Sequence, residues 1–161
     1  MDDVSLKEQV RVFARERADI VAVYLYGSQA KGQARPDSDV DLAVLMCPGA
    51  RDYLRLEMAL EAALNRQLNN DNLEVMVLNH APLLMRFEIL STGRLLHSND
   101  EPARTDWEVE TLSDYWDWEP FVREYNRAFF QRLTEGFSDA QQREYHRARA
   151  AFAVAPITLK E

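Results

Sequence analysis

A run of seven apolar residues, 20–26, constrains the fold of this chain more than any other feature. Because it is continuous and rich in β-branched and aromatic side chains, it predicts a strand that is covered on both faces. Residues 39–46 and 73–78 are apolar apart from three acids and predict two more strands, and residues 94–97 predict a short fourth strand. The chain is therefore expected to contain a small β-sheet.

Helices are predicted between and after these strands. Ser5 and Glu8 have the spacing of a capping box, Pro82 occupies a position that proline tolerates at a helix start, and Gly93 is a natural helix end. The predicted helices cover residues 5–18, 53–69 with Asp52 as the cap, 82–92, a segment from about 107, and 138 to about 151. A short helical turn with a loop is predicted at 29–38, and a linker or exposed loop at 98–106.

This order of elements indicates an α/β (α+β) fold, in which a small mixed β-sheet is packed by helices and followed by C-terminal helices. A length of 161 residues, 47% of them hydrophobic, suits one domain. We predict a core at residues 1–97 and a helical part of the same domain at residues 98–161.

Two carboxylates, Asp39 and Asp41, begin the second predicted strand. Side chains alternate between the faces of a strand, so these two point the same way. Mg²⁺ is a natural counter-ion, because it prefers oxygen ligands and is held by one or two carboxylates together with substrate phosphates. The alternative is that both acids only decorate a turn and the start of a strand.

Gly27-Ser28 follows the first predicted strand and is separated from Asp39 by ten residues. Glycine lets the backbone approach a ligand closely, and serine can offer its N–H and its hydroxyl to a phosphate. An ordinary strand-ending turn is the alternative. The combination of a phosphate-binding turn and a carboxylate pair favours a site for a metal-bound triphosphate.

Glu74 is a third carboxylate, near the start of the third predicted strand. If that strand lies beside the second, Glu74 can face Asp39 and Asp41. It would then complete a metal site or accept the proton of an attacking hydroxyl. An exposed acid at the edge of the sheet is the alternative.

Composition excludes several classes of function. A formal net charge of −8 argues against direct binding of nucleic acid, which needs clustered Lys and Arg. No segment approaches a membrane span, and the N-terminus does not have the pattern of a signal peptide. Cys47 is the single cysteine, which fits a reducing cytoplasm.

The histidines and the aromatic residues of the C-terminal part are two further candidates, for a metal site and for a binding surface. The three histidines, His80, His97 and His146, do not have metal-ligand spacing. Core packing is the first interpretation of the aromatic residues at 107, 115, 116 and 118, and a partner-binding surface is the alternative.

The residues from Gly27 to Gly32, followed by those from Pro36 to Val44, resemble the signature of minimal nucleotidyltransferases with a polymerase-β-like fold. Leu73-Glu74-Val75 resembles the strand that carries the third acid of that family. The chain is most similar to the MNT antitoxins of HEPN–MNT toxin–antitoxin pairs, over about residues 5–97. The segment 107–135 resembles their C-terminal helix only loosely, and 138–161 matches nothing in the family.

The resemblance implies a role for each matching residue. Gly27 and Ser28, with Lys31 as a further candidate, would bind the nucleotide, and Asp39, Asp41 and Glu74 would form the catalytic metal site. The family commonly has Asp as the third acid, and Glu74 is one methylene longer.

The resemblance also implies a reaction and a partner. An MNT antitoxin would use Mg²⁺ and ATP, transfer AMP to a tyrosine of a HEPN ribonuclease toxin, and form a hetero-oligomer with it in the cytoplasm. One alternative is a nucleotidyltransferase for a small molecule such as an aminoglycoside. The other is an antitoxin that neutralises its toxin by binding alone.

Overall fold

The computed structural model describes residues 3–33, 35, 38–49, 51–70, 72–134 and 137–141, together with 143, 144 and 147. The helices are α1 (Asp3–Arg15), α2 (Gly27–Ala30), α3 (Tyr53–Leu68), α4 (Leu83–Thr92) and α5 (Glu101–Thr134). The strands are β1 (Ile20–Tyr26), β2 (Val40–Met46), β3 (Leu73–Val77) and β4 (Arg94–Ser98), and a 3-10 turn covers Leu78–His80.

The four strands form one mixed sheet in the order β3-β2-β1-β4. β1 pairs antiparallel with both β2 and β4, whereas β2 and β3 run parallel. This arrangement confirms the predicted α/β (α+β) fold, with each of the four strands found within two residues of its predicted bounds.

Apolar side chains cover both faces of the sheet, as the continuous apolar run of β1 predicts. On one face, Leu42 and Val44 pack with α1 and α3, in a cluster that includes Val10 and Leu60. On the other face, Ala43 and Leu45 of β2 pack in a second cluster with residues of α4 and α5. Asp41 belongs to the second face, because side chains alternate along β2.

The edge strand β3 is covered along its outer side by α3. Glu57 Oε1 accepts a hydrogen bond from the N–H of Val77 at 2.8 Å, and Glu61 Oε2 accepts one from Val75 at 3.4 Å. Backbone donors at a sheet edge otherwise remain open to pairing with another strand. Here two side chains of a neighbouring helix occupy them.

The predicted capping box at the start of α1 is wrong. The helix already begins at Asp3, so Ser5 lies inside it and its Oγ accepts a hydrogen bond from Gln9 Nε2 at 2.9 Å. Glu8 pairs instead with Arg11, three residues on. The predicted cap of α3 is only partly right, since Asp52 is the N-cap residue but makes no side-chain capping bond.

The predicted linker at 98–106 is also wrong, because α5 begins at Glu101. Asp100 Oδ1 accepts a hydrogen bond from the N–H of Ala103 at 3.0 Å and so caps the helix. Pro102 fits within the first turn, where backbone N–H groups lack helical partners. The polar segment whose composition suggested a loop therefore forms the first turn of a long helix.

The chain divides into two compact units, Met1–Ser113 and Asp114–Glu161. Within the first, Trp107 is partly buried and packs on the core, as predicted. Within the second, Trp116 and Trp118 are 55% and 40% exposed, so core packing does not describe them. For the predicted helix from Ser138 to about Ala151, the described residues 139–141, 143, 144 and 147 are helical, as predicted, and the rest of the range lies outside the described residues.

Candidate functional site

Gly27 lies at the end of β1, against the carboxylate of Asp41. Tyr26 is the cross-strand partner of Asp41, which brings the turn after β1 beside the start of β2. Gly27 has a φ of +68°, and a Cβ on it would lie 2.0 Å from Asp41 Oδ2. Both the backbone conformation and this close approach therefore require glycine.

Asp41 and Glu74 are partners in the parallel register of β2 and β3. The predicted condition for their meeting, that β3 lies beside β2, is confirmed. Burial, the Glu74 carboxylate and the Asp39 carboxylate together raise the pKa of Asp41 above its ordinary value. The structure thus brings three of the predicted site residues, Asp39, Asp41 and Glu74, into one negatively charged group.

These carboxylates differ in their exposure. Asp39 precedes β2 and is exposed, as is Glu74, whereas Asp41 is half-buried. No lysine or arginine within the described residues forms an ion pair with any of the three. Like charges held together in this way favour a site that receives a cation.

Gln29 holds the backbone of the residues directly before β2. This role was not predicted from the sequence. Its Nε2 donates hydrogen bonds to the carbonyls of Asp39 at 3.0 Å and Ser38 at 3.4 Å. A side chain of α2 thereby fixes the position from which Asp39 projects. Its place directly after Gly27-Ser28 was the only signal in the sequence.

Tyr26 is a second residue that the sequence analysis did not single out. Its side chain is half-buried on the face of the sheet that carries Asp41. Burial raises the pKa of Tyr26 to about 12, with smaller contributions from Asp41, Glu74 and Glu57. The phenol is therefore neutral at physiological pH beside the carboxylate group.

Lys31, predicted to bind the nucleotide, lies at the end of α2. Its Nζ forms an ion pair with Glu88 Oε1 of α4 at 2.8 Å. Glu88 also lines a pocket of about 150 Å³ that Gly27 borders. The remaining lining residues are Tyr26, Met85, Ile89 and Thr92. Lys31 is thus held by an acid that adjoins the Gly27 turn.

The carboxylate group has the ligand chemistry of a Mg²⁺ site that is completed by a substrate. Among the described residues, no three His, Cys, Asp or Glu side chains are arranged to hold a metal ion by themselves. Mg²⁺ at nucleotide sites commonly uses one or two carboxylates and completes its shell with phosphates and water. Asp39 and Asp41, next to an open glycine turn, fit that incomplete shell better than a closed protein cage.

His80 and His97 lie apart from this group. His80 stacks on Tyr53 at 4.7 Å between ring centroids, and its Nε2 is 3.6 Å from Glu57. His97 is hydrogen-bonded to Asn99 at 2.9 Å. His146 lies outside the described residues.

Among the residues that the structure describes, no helix is both long enough and apolar enough to cross a membrane.

The fold is similar to chains in solved toxin–antitoxin complexes. A chain of a toxin–antitoxin crystal structure with AMP-PNP has a TM-score of 0.57 and 19% identity, covering 80% of this chain and 98% of that chain. A chain of the tri-AMPylated Shewanella oneidensis HEPN toxin in complex with MNT antitoxin has a TM-score of 0.58 and 16% identity, covering 83% and 99%. At these identities, the similarity establishes the fold.

The sequence itself carries a family signature. The model of the family described as polymerase beta, nucleotidyltransferase, matches residues 8–102, which include β1 to β4 and every predicted site residue. No curated protein matches the chain by sequence. The matched segment is more than half of the 161 residues, and the chain therefore belongs to the polymerase beta nucleotidyltransferase family.

Proposed function

We propose that this protein is a Mg²⁺-dependent nucleotidyltransferase that transfers AMP from ATP to a tyrosine of a HEPN ribonuclease toxin. One observation carries the proposal: Asp41 lies against Gly27 and is in register with Glu74. This places a turn suited to phosphates beside a pair of acids suited to a metal ion and a proton. The transfer of a nucleoside monophosphate needs both parts at one place.

The residues divide the work as follows. The Gly27-Ser28 turn would bind the phosphates of ATP, because glycine leaves its backbone open to close approach. Asp39 and Asp41 would hold Mg²⁺ together with those phosphates. The bound ion would orient the triphosphate and offset the charge that develops on it. Gln29 would keep Asp39 in place through the bond to its carbonyl.

Glu74 would act on the acceptor. It is exposed, so an incoming tyrosine hydroxyl can reach it, and its carboxylate can accept the hydroxyl proton. The tyrosine oxygen then forms a bond to the α-phosphorus, and the bond from that phosphorus to the pyrophosphate leaving group breaks. The products are O-AMP-tyrosine and pyrophosphate.

The choice of acceptor is supported by the similar structures. They are described as toxin–antitoxin complexes, one of them with AMP-PNP and one containing a tri-AMPylated HEPN toxin. That similarity, together with the family match, supports a role of this chain as the antitoxin of such a pair, bound to its toxin. The single cysteine fits the cytoplasm as the place where it acts.

The test is a transfer assay with α-labelled ATP, Mg²⁺ and the product of the adjacent gene, where a HEPN toxin is expected. Label is expected on a tyrosine of that protein with the wild type and not with Asp39→Ala or Asp41→Ala. Glu16→Ala is the matched control, since Glu16 is an exposed acid between α1 and β1, at the opposite end of β1 from Gly27.

Two outcomes would contradict the proposal. Inhibition of the toxin without label, unchanged by both aspartate substitutions, would indicate an antitoxin that acts by binding. Label on an aminoglycoside in place of the protein would indicate a small-molecule nucleotidyltransferase.

A further inference from the structure

We propose that Glu88 is a positioning residue for nucleotide binding: it holds the Lys31 ammonium where that group binds the terminal phosphates of ATP. This role rests on the function proposed above. The two side chains meet at 2.8 Å although 57 residues separate them in sequence. Their contact joins α4 to the end of α2, the helix that begins with Gly27-Ser28.

Glu88 projects from a helix that is fixed at both ends. Near the start of α4, Arg86 donates hydrogen bonds to the carbonyls of Ala81 at 2.7 Å and Asn79 at 3.0 Å. After its end, a Cβ on Gly93 would lie 3.0 Å from the carbonyl oxygen of Leu25, so the chain packs directly on β1. The Glu88 carboxylate therefore has a defined place relative to the sheet.

The backbone of Lys31 is fixed, whereas its side chain would be free to change rotamer without a partner. Its backbone N–H donates to the carbonyl of Gly27 at 3.3 Å, which fixes its Cα near the glycine turn. Its side chain is long and carries considerable rotamer freedom when unpaired. The ion pair selects the rotamers that bring the ammonium to Glu88, and Glu88 lines the pocket that Gly27 borders.

The pair leaves Lys31 able to bind a phosphate as well. A lysine ammonium has three N–H donors, and the Glu88 contact uses one of them. The triphosphate expected at Gly27 would lie beside the remaining donors. Glu88 would also offset the lysine charge in the absence of nucleotide, so the ammonium is held in place before ATP arrives.

The alternative explanation of the Lys31–Glu88 ion pair is that Glu88 opposes nucleotide binding. A carboxylate near the triphosphate could simply repel it, with the lysine neutralising that repulsion. The two explanations predict opposite signs for the removal of the Glu88 charge. Positioning predicts weaker ATP binding by Glu88→Gln, whereas repulsion predicts tighter binding.

The experiment is isothermal titration calorimetry of the full chain with ATP and, separately, with AMP, both with Mg²⁺. Glu88→Gln is expected to weaken ATP binding about threefold, the scale of an exposed ion pair, and Lys31→Gln about tenfold. Neither change should alter AMP binding, because AMP lacks the terminal phosphates. The double variant should bind ATP no more weakly than Lys31→Gln.

Glu8→Gln is the matched control, since Glu8 forms a similarly exposed ion pair with Arg11 on α1. Unchanged or tighter ATP binding by Glu88→Gln, or an equal loss for AMP, would overturn the positioning role alone. A wild-type chain that does not bind ATP at all would overturn the proposed function as well. Thermal melts of each variant check that folding is retained.

Discussion

Replacing Gly27 with alanine tests the close contact on which the candidate site depends. The added Cβ would lie 2.0 Å from Asp41 Oδ2, where real contacts need at least 3.0 Å. The carboxylate must therefore retreat by at least about 1 Å, and it can do so because it is the end of a rotatable side chain. The clash is relieved by moving the group that is proposed to hold Mg²⁺.

The effects on stability and on activity have different sources and sizes. Alanine at a φ of +68° costs about 1–2 kcal/mol, which lowers the Tm of a chain of this size by about 2–8 °C. A displacement of about 1 Å in a catalytic group lowers the rate by about a hundredfold. We therefore expect Gly27→Ala to remain folded at 25 °C and to lose nearly all AMP transfer.

Gly32 offers a control with the same backbone strain. Its φ is also +68°, but a Cβ there would meet nothing within 4 Å. Gly32→Ala should show the same fall in Tm in a thermal melt and retain transfer of labelled AMP from α-labelled ATP. The reasoning is refuted if Gly27→Ala transfers label at the wild-type rate, or if both variants lose activity equally.

Three other substitutions test the carboxylate group, the placement of Asp39 and the connection of α1 to β1. Asp41→Asn should abolish transfer yet raise the Tm at pH 7. Burial, together with Glu74 and Asp39, raises the pKa of Asp41, so ionising this carboxyl costs more free energy in the folded chain than in the unfolded chain. That cost is complete above the raised pKa and absent below the ordinary pKa of aspartate, so the gain in Tm should disappear in melts at acid pH. Gln29→Ala should lower the transfer rate by about two- to tenfold with little change in Tm, since it removes the bonds that place Asp39. Asn99→Ala should lower the free energy of unfolding by about 1–3 kcal/mol in urea melts, because the Asn99 amide donates to three backbone carbonyls between α1 and β1.

β1, β2 and β3 were predictable because each is a short and largely apolar run, which favours a buried strand. The start of α5 was not predictable from the same reasoning. Polar residues near Pro102 suggest a loop by composition, whereas the helix is decided by the side-chain cap at Asp100 and by packing of its first turns on the core. Tertiary packing of this kind overrides local propensity.

In the candidate site, too, some residues were predictable from the sequence and others were not. Asp39, Asp41 and Glu74 were predictable because acids in apolar strand contexts are conspicuous, and the register of β2 with β3 brings the latter two together. Glu88 was not, because its meaning arises from a contact across 57 residues that an isolated helix sequence does not contain. Side chains that orient others are recognisable only once the fold is known.

The bonds from α3 to the outer side of β3 also limit how this protein can associate with others. A strand that approached this edge would find the N–H groups of Val75 and Val77 already occupied by Glu57 and Glu61. Its own carbonyl oxygens would meet two carboxylates and be repelled. Growth of the sheet by strand addition, in a complex or in an aggregate, is therefore blocked at the edge formed by β3, the strand that carries Glu74.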